Sequence, residues 1–152
     1  MLISLKAHYE LILFTAAKKE YADVILNCFE GHQYFDHILT RKDCLFISEY
    51  GVYLKDLIIL QNGRSLSDMV LVDNKVESYA SHIENGVPIT DFLGDYQDSM
   101  LVSLQQYLLA LRGAEDVRQV ILRDFCLEKK QSMENQCSVK EERGKERTLK
   151  MR

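Results

Sequence analysis

Glu10-Leu11-Ile12-Leu13-Phe14 is the stretch that decides the fold, because an apolar run this compact suits a β-strand buried on both faces. A second strand of this kind is predicted at residues 68–74 (Asp-Met-Val-Leu-Val-Asp-Asn), which is apolar in its middle and ends in an acid and an amide. Shorter strands are expected at residues 37–39 and 86–89. Apolar strands that alternate with helices indicate an α/β sandwich with a mostly parallel sheet.

Helical periodicity predicts helices in the segments between and after these strands. Helices are expected at residues 2–9, from Thr15 to just before Gly31, and at 76–84, 98–111 and 116–125. The second of these helices has an apolar stripe formed by Tyr21, Ile25, Cys28 and Phe29. The long fourth helix has a leucine stripe formed by Leu101, Leu104, Leu108 and Leu111. We expect both stripes to face the core.

The composition limits the classes of protein to which this chain can belong. The chain has 152 residues, 47% of them hydrophobic, which is enough for one domain or one domain plus a tail. It contains no run of 18 apolar residues and no secretory signal pattern, so no membrane span is predicted in this chain. A net charge of −4 argues against a protein that binds nucleic acid by neutralising phosphates.

Charge divides the chain into two parts. From Glu128 onward there are eight Lys and Arg against five Glu, a net charge of +3, which leaves −7 on the preceding residues. This segment has few apolar residues and no aromatic ones. We therefore predict a folded domain at residues 1–126 and a disordered, charged tail at 127–152.

The cysteines and histidines predict no metal site. The four cysteines are scattered without a Cys-x-x-Cys pair. We therefore expect free thiols that are mostly buried as small apolar side chains. The four histidines have no ligand partners at a useful spacing, so loop or surface positions are expected for them.

Polar residues follow the two main strands, and the carboxyl ends of parallel strands are where ligands bind in open sheets. Thr15 follows the first strand, where its hydroxyl and the next N–H groups could hold an anion, or where it could simply cap a helix. Asp73 and Asn74 follow the second strand, as oxygen donors for Mg²⁺ or again as a helix cap. Lys55 lies in a loop between them and could either reach a phosphate or be solvated.

Four stretches in this order resemble one family closely: residues 9–17, 41–44, 53–57 and 71–74. The chain is similar, over about residues 2–126, to the FCP/SCP phosphatase domain, also called the NLI-interacting-factor-like domain, of the haloacid-dehalogenase (HAD) superfamily. The resemblance implies a three-layer HAD-like, Rossmann-like fold. It also implies Mg²⁺-dependent dephosphorylation of phosphoserine or phosphothreonine in proteins through an aspartyl-phosphate, as in phosphatases of the RNA polymerase II C-terminal domain.

The resemblance also implies roles for individual residues. Thr15 matches the hydroxyl that hydrogen-bonds the phosphoryl group, and Lys55 matches the cation that neutralises the phosphate and nucleophile. Asn74 matches the metal ligand, Asp73 matches the acid beside it and a second candidate ligand, and Arg41 matches an arginine near the substrate cleft. Such donors and cations suit a transition state that places charge on phosphoryl oxygens.

One departure from the family pattern changes the functional expectation. The family's first motif, Asp-x-Asp-x-(Thr/Val), supplies the nucleophilic aspartate on a central strand, whereas no Asp precedes Asp23 in this chain. We therefore expect no nucleophile, impaired Mg²⁺ binding and a sheet that lacks its first, central strand. We also expect Met1 to be an internal methionine of a longer reading frame.

Two functional hypotheses follow. The first is an inactive fragment or pseudoenzyme of a phosphoprotein phosphatase, located in the nucleus or cytoplasm. The alternative is a non-catalytic interaction module of the same fold, like the mitochondrial inner-membrane import receptor, with a mitochondrial location. In either case the expected partner is a phosphorylated or unphosphorylated protein segment rather than nucleic acid.

Overall fold

The computed structural model describes residues 1–126, and the tail predicted at 127–152 lies outside them. The α-helices are α1 (Leu2–Lys6), α2 (Lys19–Cys28), α3 (Met100–Leu111) and α4 (Val117–Ile121), which continues as a π-helical turn at Leu122–Cys126. The strands are β1 (Ile12–Phe14), β2 (His37–Leu39), β3 (Leu45–Ile47), β4 (Val52–Leu54), β5 (Leu71–Asp73) and β6 (Gly86–Pro88). Short 3-10 helices lie at Gly31–Tyr34, Arg41–Asp43, Leu57–Leu60, Leu66–Asp68 and Val76–Asn85.

The strands form three pairs, two of them parallel. β1 pairs with β2 so that Ile12 lies opposite His37, and β5 pairs with β6 so that Leu71 lies opposite Gly86. β3 and β4 form an antiparallel hairpin. The chain is therefore a mixed α/β protein with small parallel sheets, compatible with a HAD-like fold. No helix within residues 1–126 has the length and apolar character needed to cross a membrane.

Two hydrophobic clusters lie on opposite faces of β5, because side chains alternate along a strand. Met69 and Leu71 pack with Leu57 and Tyr79, whereas Val70 and Val72 pack against the other cluster. That second cluster is formed by buried residues of the helices and β6: Leu5, Val87, Leu104, Leu108, Leu111, Val117 and Ile121. The leucine stripe predicted for α3 faces this core, except that Leu101 remains 53% exposed.

α2 corrects two sequence predictions. It begins at Lys19 rather than Thr15, and all four residues of the predicted stripe are exposed, Cys28 included. Its buried residues are instead Ala22 and Leu26. Apolar residues occur on adjacent faces of this helix, so periodicity could not identify the face that packs.

The segment predicted as a helix at 76–84 is a 3-10 helix with a kink. Tyr79 and His82 have non-helical backbone angles, and both side chains are buried. His82 was expected in a loop or at the surface, and this prediction is wrong, because the residue lies in the kinked 3-10 segment and is buried. Gly86 follows directly, and a Cβ at this glycine would lie only 2.0 Å from the Tyr79 ring.

Candidate functional site

A buried ion pair lies at the carboxyl ends of the strands. Lys55 follows β4, Asp73 ends β5, and the Lys55 Nζ contacts the Asp73 Oδ2 with side chains only 12% and 5% exposed. Asp73 Oδ1 accepts a hydrogen bond from the Lys75 N–H at 2.7 Å. The Lys55 N–H donates to the Ser78 carbonyl at 2.7 Å. Both partners are therefore held by the backbone as well as by each other, and Lys55 is not a solvated loop lysine.

Thr15 lies in a loop that begins directly after β1. Its Oγ1 accepts a hydrogen bond from the Ala17 N–H at 3.1 Å, whereas the N-cap of α2 is Lys18. Of the two hypotheses for Thr15, anion binding and a helix cap, the helix cap is therefore wrong. The hydroxyl instead closes a turn within the loop, where its own proton remains available as a donor.

Arg41 ties this loop to the next strand pair. Its Nε donates to the Ala16 carbonyl at 2.7 Å, and its backbone N–H donates to the Ala17 carbonyl at 2.9 Å. The guanidinium carbon lies 5.0 Å from the centre of the Tyr53 ring, a cation–π contact. No carboxylate within residues 1–126 forms an ion pair with Arg41, so the guanidinium keeps donors for an anion.

Cys44 lies near both the loop that contains Thr15 and the Lys55–Asp73 pair. The sequence analysis did not predict this position for Cys44. Its Sγ lies 3.7 Å from the Thr15 carbonyl oxygen. Burial raises the pKa of the Cys44 thiol, while the positive charges of Lys55 and Arg41 act in the opposite direction. The structure therefore arranges four of the five predicted site residues in two groups: Arg41 binds the loop that contains Thr15, and Lys55 pairs with Asp73.

Asn74, the fifth, occupies a different environment. Its side-chain amide donates to Asp91 Oδ1, and both residues are exposed. Asn74 therefore contacts the loop that follows β6, at residues 91–98, and does not join the buried ion pair.

The residues present do not fit a Mg²⁺ site. Mg²⁺ requires several oxygen ligands in octahedral geometry. Both oxygens of Asp73 are engaged, one by Lys55 and one by the Lys75 N–H. Between Met1 and Cys126 no three His, Cys, Asp or Glu residues converge as a metal-binding group.

A hydrogen-bonded histidine–aspartate pair lies beside the Lys55–Asp73 ion pair. His82 Nε2 contacts Asp56 Oδ1 at 2.7 Å, and the same oxygen accepts the Ile58 N–H at 3.0 Å. The hydrogen bond from His82, then that from Ile58, holds the pKa of Asp56 below its usual value. Asp56 follows Lys55 directly, so this pair fixes the backbone from which Lys55 extends. The sequence carried no signal for it, because a lone histidine 26 residues away identifies no partner.

A comparison with protein families identifies the family of this chain. The model of NLI interacting factor-like phosphatases matches residues 1–118. The chain belongs to this family. The predicted resemblance is thereby confirmed, while the role of each site residue stays a prediction.

Two of the three relatives described next carry phosphatase names. The "CTD small phosphatase-like protein 2" of Dictyostelium discoideum is 36% identical over 119 residues, covering 78% of this chain and 20% of that protein. The human "Carboxy-terminal domain RNA polymerase II polypeptide A small phosphatase 2" is 38% identical over 109 residues, covering 72% and 39%. The "Nuclear envelope morphology protein 1" of Saccharomyces cerevisiae is 35% identical over 123 residues, covering 74% and 27%. The chain spans less than half the length of each.

Proposed function

We propose that this chain is a phosphoprotein-binding domain of the phosphatase family that binds a phosphoserine or phosphothreonine segment without hydrolysing it. The main support for this proposal is the Lys55–Asp73 ion pair. The pair fixes a cation at the strand ends, and the same cation occupies an oxygen of the Asp73 carboxylate. Each oxygen of Asp73 already has a hydrogen-bond partner, which leaves neither of them free to attack a phosphoryl group.

The other nearby carboxylate is engaged as well. Asp43, which also acts electrostatically on the Cys44 thiol, accepts the Thr40 N–H at 2.8 Å in a capping box. Within residues 1–126, each carboxylate at this centre therefore has at least one oxygen engaged in a hydrogen bond. This supports the absence of catalysis in this chain.

Phosphate binding is supported by the remaining groups. The Arg41 guanidinium lacks a carboxylate partner among the described residues, and Thr15 offers a hydroxyl donor in the adjacent loop. Arginine and hydroxyl donors at a partly buried site suit a phosphoryl group. The names of relatives refer to phosphatases and to the RNA polymerase II carboxy-terminal domain, and on that basis we propose a phosphorylated protein segment as the partner and a nuclear or cytoplasmic setting. We also propose a three-layer HAD-like arrangement, because the chain belongs to the NLI interacting factor-like phosphatase family.

Peptide binding tests this proposal. We expect a fluorescent phosphoserine peptide to bind the full chain at least tenfold more tightly than its unphosphorylated form, in a fluorescence anisotropy titration. Arg41→Ala should abolish the difference, whereas Lys42→Ala, which removes an adjacent exposed cation, should keep it. Equal affinity for both peptides contradicts phosphate recognition.

A turnover assay tests the second part of the proposal, the absence of hydrolysis. We expect no hydrolysis of para-nitrophenyl phosphate with Mg²⁺ above the rate in buffer. Clear turnover that is lost in Asp73→Asn contradicts the proposal. Binding of mitochondrial presequence peptides without binding of phosphopeptides favours the interaction-module alternative instead.

A further inference from the structure

The loop at residues 91–98 carries large apolar side chains into solvent. Phe92 is 70% exposed, Leu93 is 90% exposed and Tyr96 is fully exposed. The first turn of α3 continues the loop with three more exposed apolar side chains, those of Met100, Leu101 and Val102. We call these six residues the loop surface. Large exposed apolar groups that cluster in this way mark sites where a partner binds.

The aspartates of the loop hold its backbone in shape. The Asp98 N–H donates to the Asp95 carbonyl at 3.1 Å, which closes a β-turn. Asp95 Oδ1 accepts the Gln97 N–H at 2.8 Å, and Asp98 Oδ1 accepts the Met100 N–H at 2.7 Å. Gly94 precedes this turn with a φ of +87°, which other residues adopt only with strain. The apolar side chains therefore project from a loop that has formed its own hydrogen bonds.

The charge around the loop surface is negative. Asp91, Asp95 and Asp98 are all exposed, and none of them forms an ion pair within residues 1–126. Between residues 76 and 111 the sequence has five acidic residues and no Lys or Arg. Because Asp95 and Asp98 each use one carboxylate oxygen for the turn, the second oxygen of each can accept a bond from a cation. The loop surface therefore combines apolar groups with negative charge that the described chain does not neutralise.

We propose that the loop surface binds a basic segment of another protein, whose large apolar side chains pack on Phe92, Leu93 and Tyr96. Lysine or arginine residues that flank those side chains would pair with Asp95 and Asp98. Complementary charge speeds the encounter and fixes the orientation of such a segment, while the apolar contact forms the centre of the interface. None of the residues proposed to bind phosphate belongs to this surface.

Other occupants match the loop surface less well. The residues before Glu128 carry a net charge of −7, so the bodies of two copies repel each other. Residues 128–152 of the chain itself are basic, at +3, but they include no aromatic residue and no two adjacent apolar residues. The aspartates would also be repelled by the anionic lipids of a membrane surface. A separate protein segment that is both basic and rich in apolar residues therefore fits best.

Fluorescence anisotropy with three matched peptides tests the proposal. The probe is fluorescein-labelled Lys-Lys-Leu-Leu-Lys-Lys-Leu-Phe-Lys-Lys. One control replaces every Lys by Glu, and the other replaces every Leu and Phe by Ser. We expect the probe to bind the full chain at least tenfold more tightly than either control, because only the probe complements both the charge and the apolar groups. Added NaCl should weaken binding of the probe, since salt screens exposed charges.

Paired substitutions test the apolar contact. Phe92→Ser combined with Leu93→Ser should weaken binding of the probe at least tenfold. Tyr21→Ser combined with Val24→Ser removes exposed apolar groups from α2 instead and should leave binding unchanged. All four side chains are exposed, so we expect each variant to fold, which circular dichroism checks. Hydrogen–deuterium exchange should show that the probe slows exchange at residues 91–102.

A second set of substitutions tests the charges. Asp95→Asn combined with Asp98→Asn removes two charges, but asparagine keeps a side-chain oxygen that can accept the hydrogen bonds of the turn. We expect binding of the probe to weaken at least fivefold and to depend less on salt. Glu20→Gln combined with Glu30→Gln removes two exposed charges elsewhere and should leave binding unchanged.

Several outcomes overturn the proposal. Equal binding of the probe and the serine control would reduce the interaction to charge alone, and unchanged binding in both loop variants would place the peptide elsewhere. Protection of residues 91–102 without peptide would name another occupant. That occupant is a second copy if protection rises with protein concentration, and the chain's own basic segment if protection is lost in Lys129→Glu combined with Lys130→Glu. Binding to phosphatidylserine vesicles, lost in the Phe92 and Leu93 variant, would favour a membrane instead.

Discussion

Asp73 and Asn74 are neighbours in sequence, yet they lie in opposite environments. Asp73 is buried against Lys55, whereas Asn74 is exposed and binds the equally exposed Asp91. Consecutive residues at the end of a strand point in opposite directions, so one enters the interior and the other faces solvent. The predicted site therefore has a half that belongs to the folded core and a half that belongs to the surface, and substitutions in the two halves should have different consequences.

The largest effect should follow from Asp73→Ala. It leaves the Lys55 ammonium buried without its partner, and breaking a buried ion pair on one side costs about 3–5 kcal/mol. Urea denaturation should show this loss in the free energy of unfolding. A loss under about 1 kcal/mol would mean that Asp73 is not part of the core, and the comparison with Asn74 would fail.

A double replacement serves as the control for this measurement. Lys55→Met combined with Asp73→Leu removes both charges and keeps a similar volume, so we expect it to recover most of the stability that Asp73→Ala loses. If the double variant is as unstable as Asp73→Ala, packing rather than the unpaired charge explains the loss.

An intermediate effect is expected at Asp56, whose side chain is 29% exposed. Asp56→Asn keeps a cap for Ile58 but removes the charge that His82 contacts, at a cost of about 1–2 kcal/mol. The folded-state pKa of Asp56 is lowered, so its contribution is fully present above the unfolded pKa of about 3.9 and is lost as the pH falls through the folded pKa. The stability difference between the two proteins should therefore shrink as the pH falls below about 3.9. A difference that grows on acidification would contradict the assigned pair.

The sequence predicted the part of the site that depends on strand order. An apolar run ending in Asp73 indicates a strand with a polar carboxyl end, and parallel strands bring such ends together. It could not predict that Lys55 pairs with Asp73, because that contact depends on how the β4 hairpin packs on the kinked segment around Tyr79. The exposed stripe of α2 shows the same limit, since local periodicity does not reveal which neighbour covers a helix.

A smaller effect is expected for Arg41→Lys. Lysine keeps the charge but loses the Nε bond to the Ala16 carbonyl and the planar contact with Tyr53, so stability should fall by about 1 kcal/mol. Thermal unfolding measures this, and Tyr53→Leu in the same background separates the ring contact from the hydrogen bond. If Arg41→Lys is neutral in both backgrounds, the loop at residues 15–17 does not depend on the guanidinium.

The smallest effect should follow from Asn74→Ala. Both partners of the Asn74–Asp91 bond are exposed, and exposed polar pairs contribute little because water replaces either partner; we expect less than about 0.5 kcal/mol in urea denaturation. Asp91→Ala should behave alike, and the double variant should show no coupling between them. A loss at Asn74 approaching that at Asp73 would mean that the 91–98 loop is fastened to the strand end through Asn74. In that case the surface half of the site would be as fixed as the buried half, and the division between them would not hold.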